Sequence, residues 1–292
     1  MKIILTGSSG FVGSRVLYYL EKEGHTVISI PSDMLKGEIT EKRFQEIRRM
    51  IEREQPDVIV HSAAISSTVY SEQHPDESYI ANALLPQVMA RLASLTGSKL
   101  IYFSSDQVYS GCSGTEPHLE KEENLEPGNV YGRHKLEAEK RILDIKPDSV
   151  ALRLSWMYDM PVYQTKSNNN FVLALLKSAI SGKAVTYSLN DFRGITYVRS
   201  VAQHLLETFN LPGGVYNFGS ENDLNMYDTA CAFLSAMGLE SKITEILKST
   251  STQQLKNLRM DCSKIRGHGI SFEETADAII KLTQDYPGLF YN

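Results

Sequence analysis

The stretch "ILTGSSGFVGS", Ile4 to Ser14, constrains the fold more than any other part of the sequence. An apolar run from Lys2 to Leu5 ends at Thr6. Glycine then recurs at every third residue, Gly7, Gly10 and Gly13, as an amphipathic run opens from Phe11 to Lys22. Glycine lets a backbone turn tightly and come close to a ligand, and the free N–H groups of a helix start face an anion there. Between a first strand and a first helix, G-x-x-G-x-x-G is a variant of the dinucleotide fingerprint. It predicts a pyrophosphate held by Gly7, Ser9, Gly10, Phe11, Val12 and Gly13. The same glycines would also serve a bare chain reversal.

The rest of the first half keeps the same rhythm. Strand-like runs at Thr26–Ile30, Asp57–His61, Leu100–Phe103 and Val150–Leu154 alternate with helical spacing at Glu41–Glu54, Pro86–Leu95 and Val130–Leu143. Such β-α-β-α order predicts an α/β fold: a doubly wound parallel sheet covered on both faces. In the less regular second half, helical patterns at Phe171–Ile180, Val198–Phe209, Met226–Met237 and Phe272–Thr283 surround strands at Ala184–Ser188 and Gly214–Phe218. The expected division is a nucleotide-binding domain over 1–155 and a smaller α/β substrate lobe, mainly 156–292. The chain is expected to re-enter the sheet near 184–205, and a cleft to separate the two parts.

Bulk properties narrow the function. The 292 residues are 42% hydrophobic and 22% charged, ordinary for a chain with a substantial core, and the net charge of -5 gives no reason to expect nucleic acid. No apolar run approaches the roughly 18 residues of a membrane helix, and glycines interrupt the N-terminal run too early for a signal peptide. The three cysteines, Cys112, Cys231 and Cys262, are widely spaced and read as free thiols of a reducing, cytoplasmic compartment. Without paired histidines or Cys-x-x-Cys, no metal site is expected.

Two further motifs bear on chemistry. "KLIYFSSDQVYSG", Lys99 to Gly111, ends a buried strand in Ser104, Ser105, Asp106 and Gln107. "NVYGRHKLEAEK" carries Tyr131 and Lys135, which share a helix face at i and i+4. A nearby ammonium is expected to lower the phenol's pKa and fit it for proton transfer. By itself Y-x-x-x-K is common by chance. At the end of the second strand, where a ribose-binding acid is usually sought, stands Pro31. That leans the cofactor slightly toward NADP over NAD, with Ser32 or Lys36 to meet a 2′-phosphate and Asp33 nearby.

The glycine turn, the Ser105 strand end and Tyr131-x-x-x-Lys135 together resemble the extended short-chain dehydrogenase/reductase superfamily along nearly the whole chain. The resemblance implies a Rossmann-type fold, a nicotinamide cofactor and a nucleotide-sugar substrate. It implies Ser105 as hydrogen-bond donor to the substrate oxygen, Tyr131 as acid–base and Lys135 on the nicotinamide ribose. Three segments narrow it to the RmlD-like, dTDP-4-dehydrorhamnose reductase branch. "GEIT", directly after the second strand with no intervening helix, is similar to "GD-[IL]-[TS]" and implies that Glu38 and Ile39 meet the adenine end. "PDVIVHSAAISST" places Ala63 and Ala64 by the cofactor and Ser66 near the sugar. "LRLSWMY" implies Trp156 as a wall for the sugar.

Sugar-nucleotide dehydratases read "S-T-D-E-V-Y" where this chain has Ser105, Asp106 and Gln107. An amide cannot take a proton from carbon, so the dehydratase base is missing. Asp106 and Gln107 are then expected to meet the sugar or line the cleft. "DFRGITYV" lacks the reductase-type "G-x-P-T" and is more similar to epimerases, where Arg193 would meet the nucleotide phosphates. The expected activity is NAD(P)H-dependent reduction of a nucleotide-linked 4-keto-6-deoxy sugar. The alternatives are an NAD-dependent sugar-nucleotide epimerase, and a non-catalytic binder like the regulatory subunit of methionine adenosyltransferase. Assembly as a homodimer is left open.

Overall fold

A computed structural model describes residues 1–161, 169–251 and 254–290. Its centre is a six-stranded sheet: β1 (Lys2–Thr6), β2 (Thr26–Ser29), β3 (Val58–His61), β4 (Lys99–Ser105), β5 (Val150–Leu154) and β6 (Gly214–Phe218). The spatial order is β6-β5-β4-β3-β1-β2, with every neighbouring pair parallel. From β1 the chain steps outward to β2, then crosses back to β3 on the other side. This reversal opens a crevice beyond the carboxyl ends of β1 and β3, where ligands bind in doubly wound sheets.

Alternation along the strands divides the core. Ile3 and Leu5 of β1 face one layer with Val16 and Leu20 of α1 (Phe11–Lys22), while Ile4 faces the other. The first layer also contains Val201, Ala202 and Leu205. The second contains Ile47 and Ile51 of α2 (Glu41–Glu54), Met89 and Leu92 of α3 (Leu85–Thr96), and Ala138 and Ile142 of α4 (Val130–Ile145). A third cluster, with Tyr158, Phe171, Phe233 and Leu282, forms the core of the C-terminal lobe. Among the described residues no helix is long and apolar enough to cross a membrane.

Two expectations need correction. The strand that rejoins the sheet is Gly214–Phe218, beyond the 184–205 window. Within that window Val185–Ser188 pairs instead with Leu247–Thr250, and Val198–His204 is a helix packed on α1. The window returns to the nucleotide-binding half as a helix because its apolar residues are spaced to cover one face. Between β2 and "GEIT", where no helix was expected, Ser32–Leu35 forms a single helical turn with Pro31 as N-cap. Proline's fixed φ suits such a start.

Candidate active site

The glycine turn folds so tightly that a Cβ on Gly13 would lie 2.0 Å from the Gly7 carbonyl oxygen. Gly10 is the N-cap of α1 and offers no side-chain cap. The amides of Phe11, Val12 and Gly13 therefore have no acceptor within the helix and suit an anion. Behind the turn, Thr6 Oγ1 accepts from Ala63 N at 3.2 Å and shares a hydrogen bond with His61 Nδ1 at 2.7 Å, tying β1 to the end of β3. Asn82 clamps the loop after β3: it accepts from Ile65 N at 3.1 Å and donates to Ile65 O at 3.0 Å. It sits in a π-helical turn, Ile80–Leu84, just before Pro86. Proline cannot supply the next α-helical N–H, and a wider turn relieves the break.

The polar end of β4 runs into a 3₁₀ turn, Asp106–Tyr109. Ser105 Oγ accepts from Gln107 N at 3.2 Å and donates to Asp106 Oδ1 at 3.1 Å. Gln107 is a brace: Nε2 donates to Asp106 Oδ1 at 3.2 Å, and Oε1 accepts from Asn129 Nδ2 at 3.0 Å. Asn129 Oδ1 in turn caps α4 by accepting from Gly132 N at 2.8 Å. At Gly132 a Cβ would lie 2.3 Å from the Gln107 carbonyl oxygen. The helix thus starts directly against the 3₁₀ turn, and that contact brings Tyr131 beside Ser105, close enough for the serine to act on the phenol's pKa.

Burial decides the electrostatics of this group. It raises the Tyr131 pKa well above that of an ordinary phenol; Ser105 opposes the shift and the Asp106 charge adds to it. The expected lowering by Lys135 is not found. The Lys135 ammonium is 5.7 Å from the Tyr131 ring centroid and is itself desolvated, donating to the Phe103 carbonyl at 2.8 Å. Burial pushes the lysine down to about 7, with Glu139 opposing. His61, also buried, is driven to about 3 by desolvation and then by the Lys135 charge. Beneath them lies a buried salt bridge. Arg153 Nη2 donates to Glu139 Oε2 at 2.7 Å, and Ser104 Oγ donates to Glu139 Oε1 at 2.5 Å. This bridge joins α4 to both β4 and β5, so the faces bearing Tyr131 and Lys135 are held from below.

These parts line one cleft of about 440 Å³. It gathers Gly7, Gly10, Phe11, Val12, Gly13, Ala64, Ser66, Ser105, Asp106, Gln107, Tyr131, Lys135, Trp156 and Arg193. Ser9 and Ala63 line an adjoining cavity of about 470 Å³, which shares Gly7, Gly10, Ser62 and Ala64 with the cleft and reaches Ser32, Lys36 and Gly37. Glu38 and Ile39 line neither. Glu38 is exposed, and its carbonyl accepts from Arg43 at 2.8 Å; Ile39 packs on the core. After the unexpected helical turn, Lys36 and Gly37 stand at the cavity instead.

Of the cleft residues not foreseen as site residues, Lys256 is the one that carries charge. Lys256 arrives on the strand Lys256–Leu258, which pairs with Asp191–Arg193. Both cations lie near Asp191, Arg193 Nε at 3.5 Å and Lys256 Nζ at 3.3 Å. Both also restrain the burial-raised pKa of Asp106, whose Oδ2 has no hydrogen-bond partner. The Arg193 guanidinium stands 5.7 Å from the Trp156 ring centroid. No local pattern marks Lys256; only long-range strand pairing brings it here.

Comparison with known proteins agrees with this geometry. The chain is 28% identical over 84% of its length, and 82% of the relative's, to the spore coat polysaccharide biosynthesis protein SpsK of Bacillus subtilis. It is 26% identical to a dTDP-4-dehydrorhamnose reductase of Mycolicibacterium smegmatis, over 82% of this chain and 70% of that one. It is also 26% identical to the methionine adenosyltransferase 2 subunit beta of Bos taurus, over 92% and 83%. Among solved structures, dTDP-4-dehydrorhamnose reductase from Bacillus anthracis in complex with NADP superposes with a TM-score of 0.84 at 21% identity, covering 97% of this chain and 99% of that one. The RmlD substrate binding domain profile matches residues 1–286, so turn, cleft and C-terminal lobe fall within one match, and the chain belongs to that family.

Proposed function

We propose that the chain is an NAD(P)H-dependent reductase of a nucleotide-linked 4-keto-6-deoxy sugar, of the dTDP-4-dehydrorhamnose reductase type. The carrying observation is that Ser105, Tyr131 and Lys135 line the same cleft as the glycine turn. The unpartnered amides of the α1 start fit a pyrophosphate, and Lys36 at the adjoining cavity fits a 2′-phosphate, which favours NADPH. A relative of this type and a structural neighbour crystallised with NADP support the same reading.

A reduced nicotinamide supplies a hydride to the sugar ketone. The chain's part is placement and proton supply. Ser105 and Tyr131 hydrogen-bond the ketone oxygen, and Tyr131 gives it a proton. The phenol is protonated at neutral pH, the form a donor needs, and its burial makes it a weaker acid than an ordinary phenol. Lys135 orients the ribose, Arg193 and Lys256 receive the sugar's diphosphate, and Trp156 walls the sugar. Gln107 supplies no base, so elimination of water is not supported. The free thiols suit a reducing, cytoplasmic setting.

The test is NADPH and NADH oxidation against a panel of nucleotide-linked 4-keto sugars. Tyr131→Phe is expected to lower turnover by about 10²–10⁴-fold with dinucleotide affinity unchanged. Full turnover in that variant removes the assignment. The Arg193 segment favours C4 epimerisation as the second reading. Purified protein that carries tightly held NAD⁺ and interconverts sugars without added NADPH would establish it instead.

A further inference from the structure

Outside the cleft, the loop between β4 and α4 brings Cys112, His118 and Glu122 together. The sulfur, a ring nitrogen and a carboxylate oxygen all lie within 4.8 Å of one another. The spacing Cys-x5-His-x3-Glu matches none of the patterns sought in the sequence. None of the three lines the cleft.

His118 is the informative residue. Its ring is buried and stacked on Tyr109, with centroids 4.6 Å apart and planes 8° from parallel. Nε2 faces the Asn257 carbonyl at 3.1 Å, and Nδ1 faces the Glu122 carboxylate at 2.9 Å. Both partners are acceptors. Each ring nitrogen is thus within hydrogen-bond distance of an acceptor, and in the metal-free chain the Nδ1–Glu122 contact is a hydrogen bond or ion pair. A cation taking the place of a proton between Nδ1 and Glu122 would leave an Nε2 N–H on the Asn257 carbonyl. A histidine whose outer N–H is held by a carbonyl while its inner nitrogen faces other donors is the arrangement of a metal ligand with its supporting shell. Glu122 is also anchored, accepting from Leu119 N at 2.9 Å.

We propose that Cys112, His118 and Glu122 bind a zinc ion through Sγ, Nδ1 and a carboxylate oxygen, leaving a fourth position to water. A thiolate, an imidazole and a carboxylate form a zinc-type donor set, and three protein ligands with an open fourth position are a known arrangement for that metal. On binding, the Cys112 thiol proton and the proton between His118 Nδ1 and Glu122 leave to solvent, and sulfur–zinc and nitrogen–zinc bonds take their places; no oxidation is involved. Bonds of about 2.0–2.3 Å at tetrahedral angles require Nδ1 and the carboxylate to separate by a few tenths of an ångström and the Cys112 sulfur, within 4.8 Å of both, to settle at about 3.5 Å from them. The ion would tie the loop to the strand through Asn257, the residue after Lys256. The site is thus a brace behind the cleft's cationic wall, and it stands apart from the reductase reading.

Metal-stripped, tag-free full-length chain is titrated with Zn²⁺ by calorimetry and with Co²⁺ by absorption. The expected result is one equivalent bound, a thiolate-to-cobalt charge-transfer band in the near ultraviolet, and a Zn²⁺-dependent rise in melting temperature. Cys112→Ser is expected to abolish the band and weaken Zn²⁺ binding by more than about 100-fold, beyond the range of losing a supporting residue. Glu122→Gln, which keeps the Leu119 contact, is expected to weaken binding at least about tenfold and retain the band. If Cys112→Ser does not fold, Glu122→Gln decides. No stoichiometric binding, binding without the band, or equal affinity in Glu122→Gln overturns the proposal.

Discussion

At the residue scale, the cleft is governed by how little water its ionisable groups reach. Lys135 combines near-complete burial with a pKa of about 7, against an ordinary lysine near about 10.4. Below about pH 7 it is charged in both folded and unfolded chains. Between 7 and the unfolded value the folded chain has already released its proton, so the unfolded state binds more, and stability from this residue rises with pH. Wild type should therefore gain unfolding free energy from about pH 7 to 9.5 relative to Lys135→Met, by an amount on the order of 1 kcal/mol per pH unit. Denaturant midpoints across that range measure it, and parallel curves would refute the shift. Much of this residue set was legible in the sequence, because Ser105, Tyr131 and Lys135 sit in short local patterns. Their electrostatics were not. A motif shows which groups meet, whereas the sign of the Tyr131 shift depends on desolvation, which only packing determines. Gln107 shows the same limit: its identity excluded a base, but its bracing contacts to Asp106 and Asn129 belong to the folded chain.

At the element scale, the decisive contact is α4 seated on the 3₁₀ turn. Gly132→Ala would place a methyl 2.3 Å from a backbone oxygen that has no freedom to move. The helix start must shift, and Tyr131 with it. The expected outcome is a loss of about 1–3 kcal/mol of stability together with a fall in turnover beyond what that loss explains. Unfolding curves and steady-state rates on one preparation separate the two effects. The alternating elements of the first half were readable because each is long enough to show its period. The three-residue strands Trp156–Tyr158, Asp191–Arg193, Ile195–Tyr197 and Lys256–Leu258 were not. Three residues carry no periodicity, and such strands form only where the partner is already in place. Lys256 reaches the cleft on one of them, which is why it escaped notice.

At the scale of the whole molecule, a second buried charge cluster links the glycine-turn helix to the lobe. Asp159, with no exposed surface, accepts from Arg15 Nε at 3.0 Å and from the Tyr286 hydroxyl at 3.1 Å, while Arg199 Nε lies 3.6 Å away. These residues come from α1, the segment after Trp156–Tyr158, the helix packed on α1 and the C-terminal region. Removing one member of a buried pair leaves the other charge without compensation. Asp159→Ala should therefore cost about 3–5 kcal/mol and lower the melting temperature in one cooperative step; separate transitions for the two parts would contradict the coupling. The late arrival of β6 has a consequence for synthesis. While the ribosome is still adding the residues that lead up to Gly214, the outer side of β5 presents an open row of backbone donors and acceptors. Until Gly214–Phe218 has been made and pairs there, that edge of the nascent sheet is free to pair with a neighbouring chain.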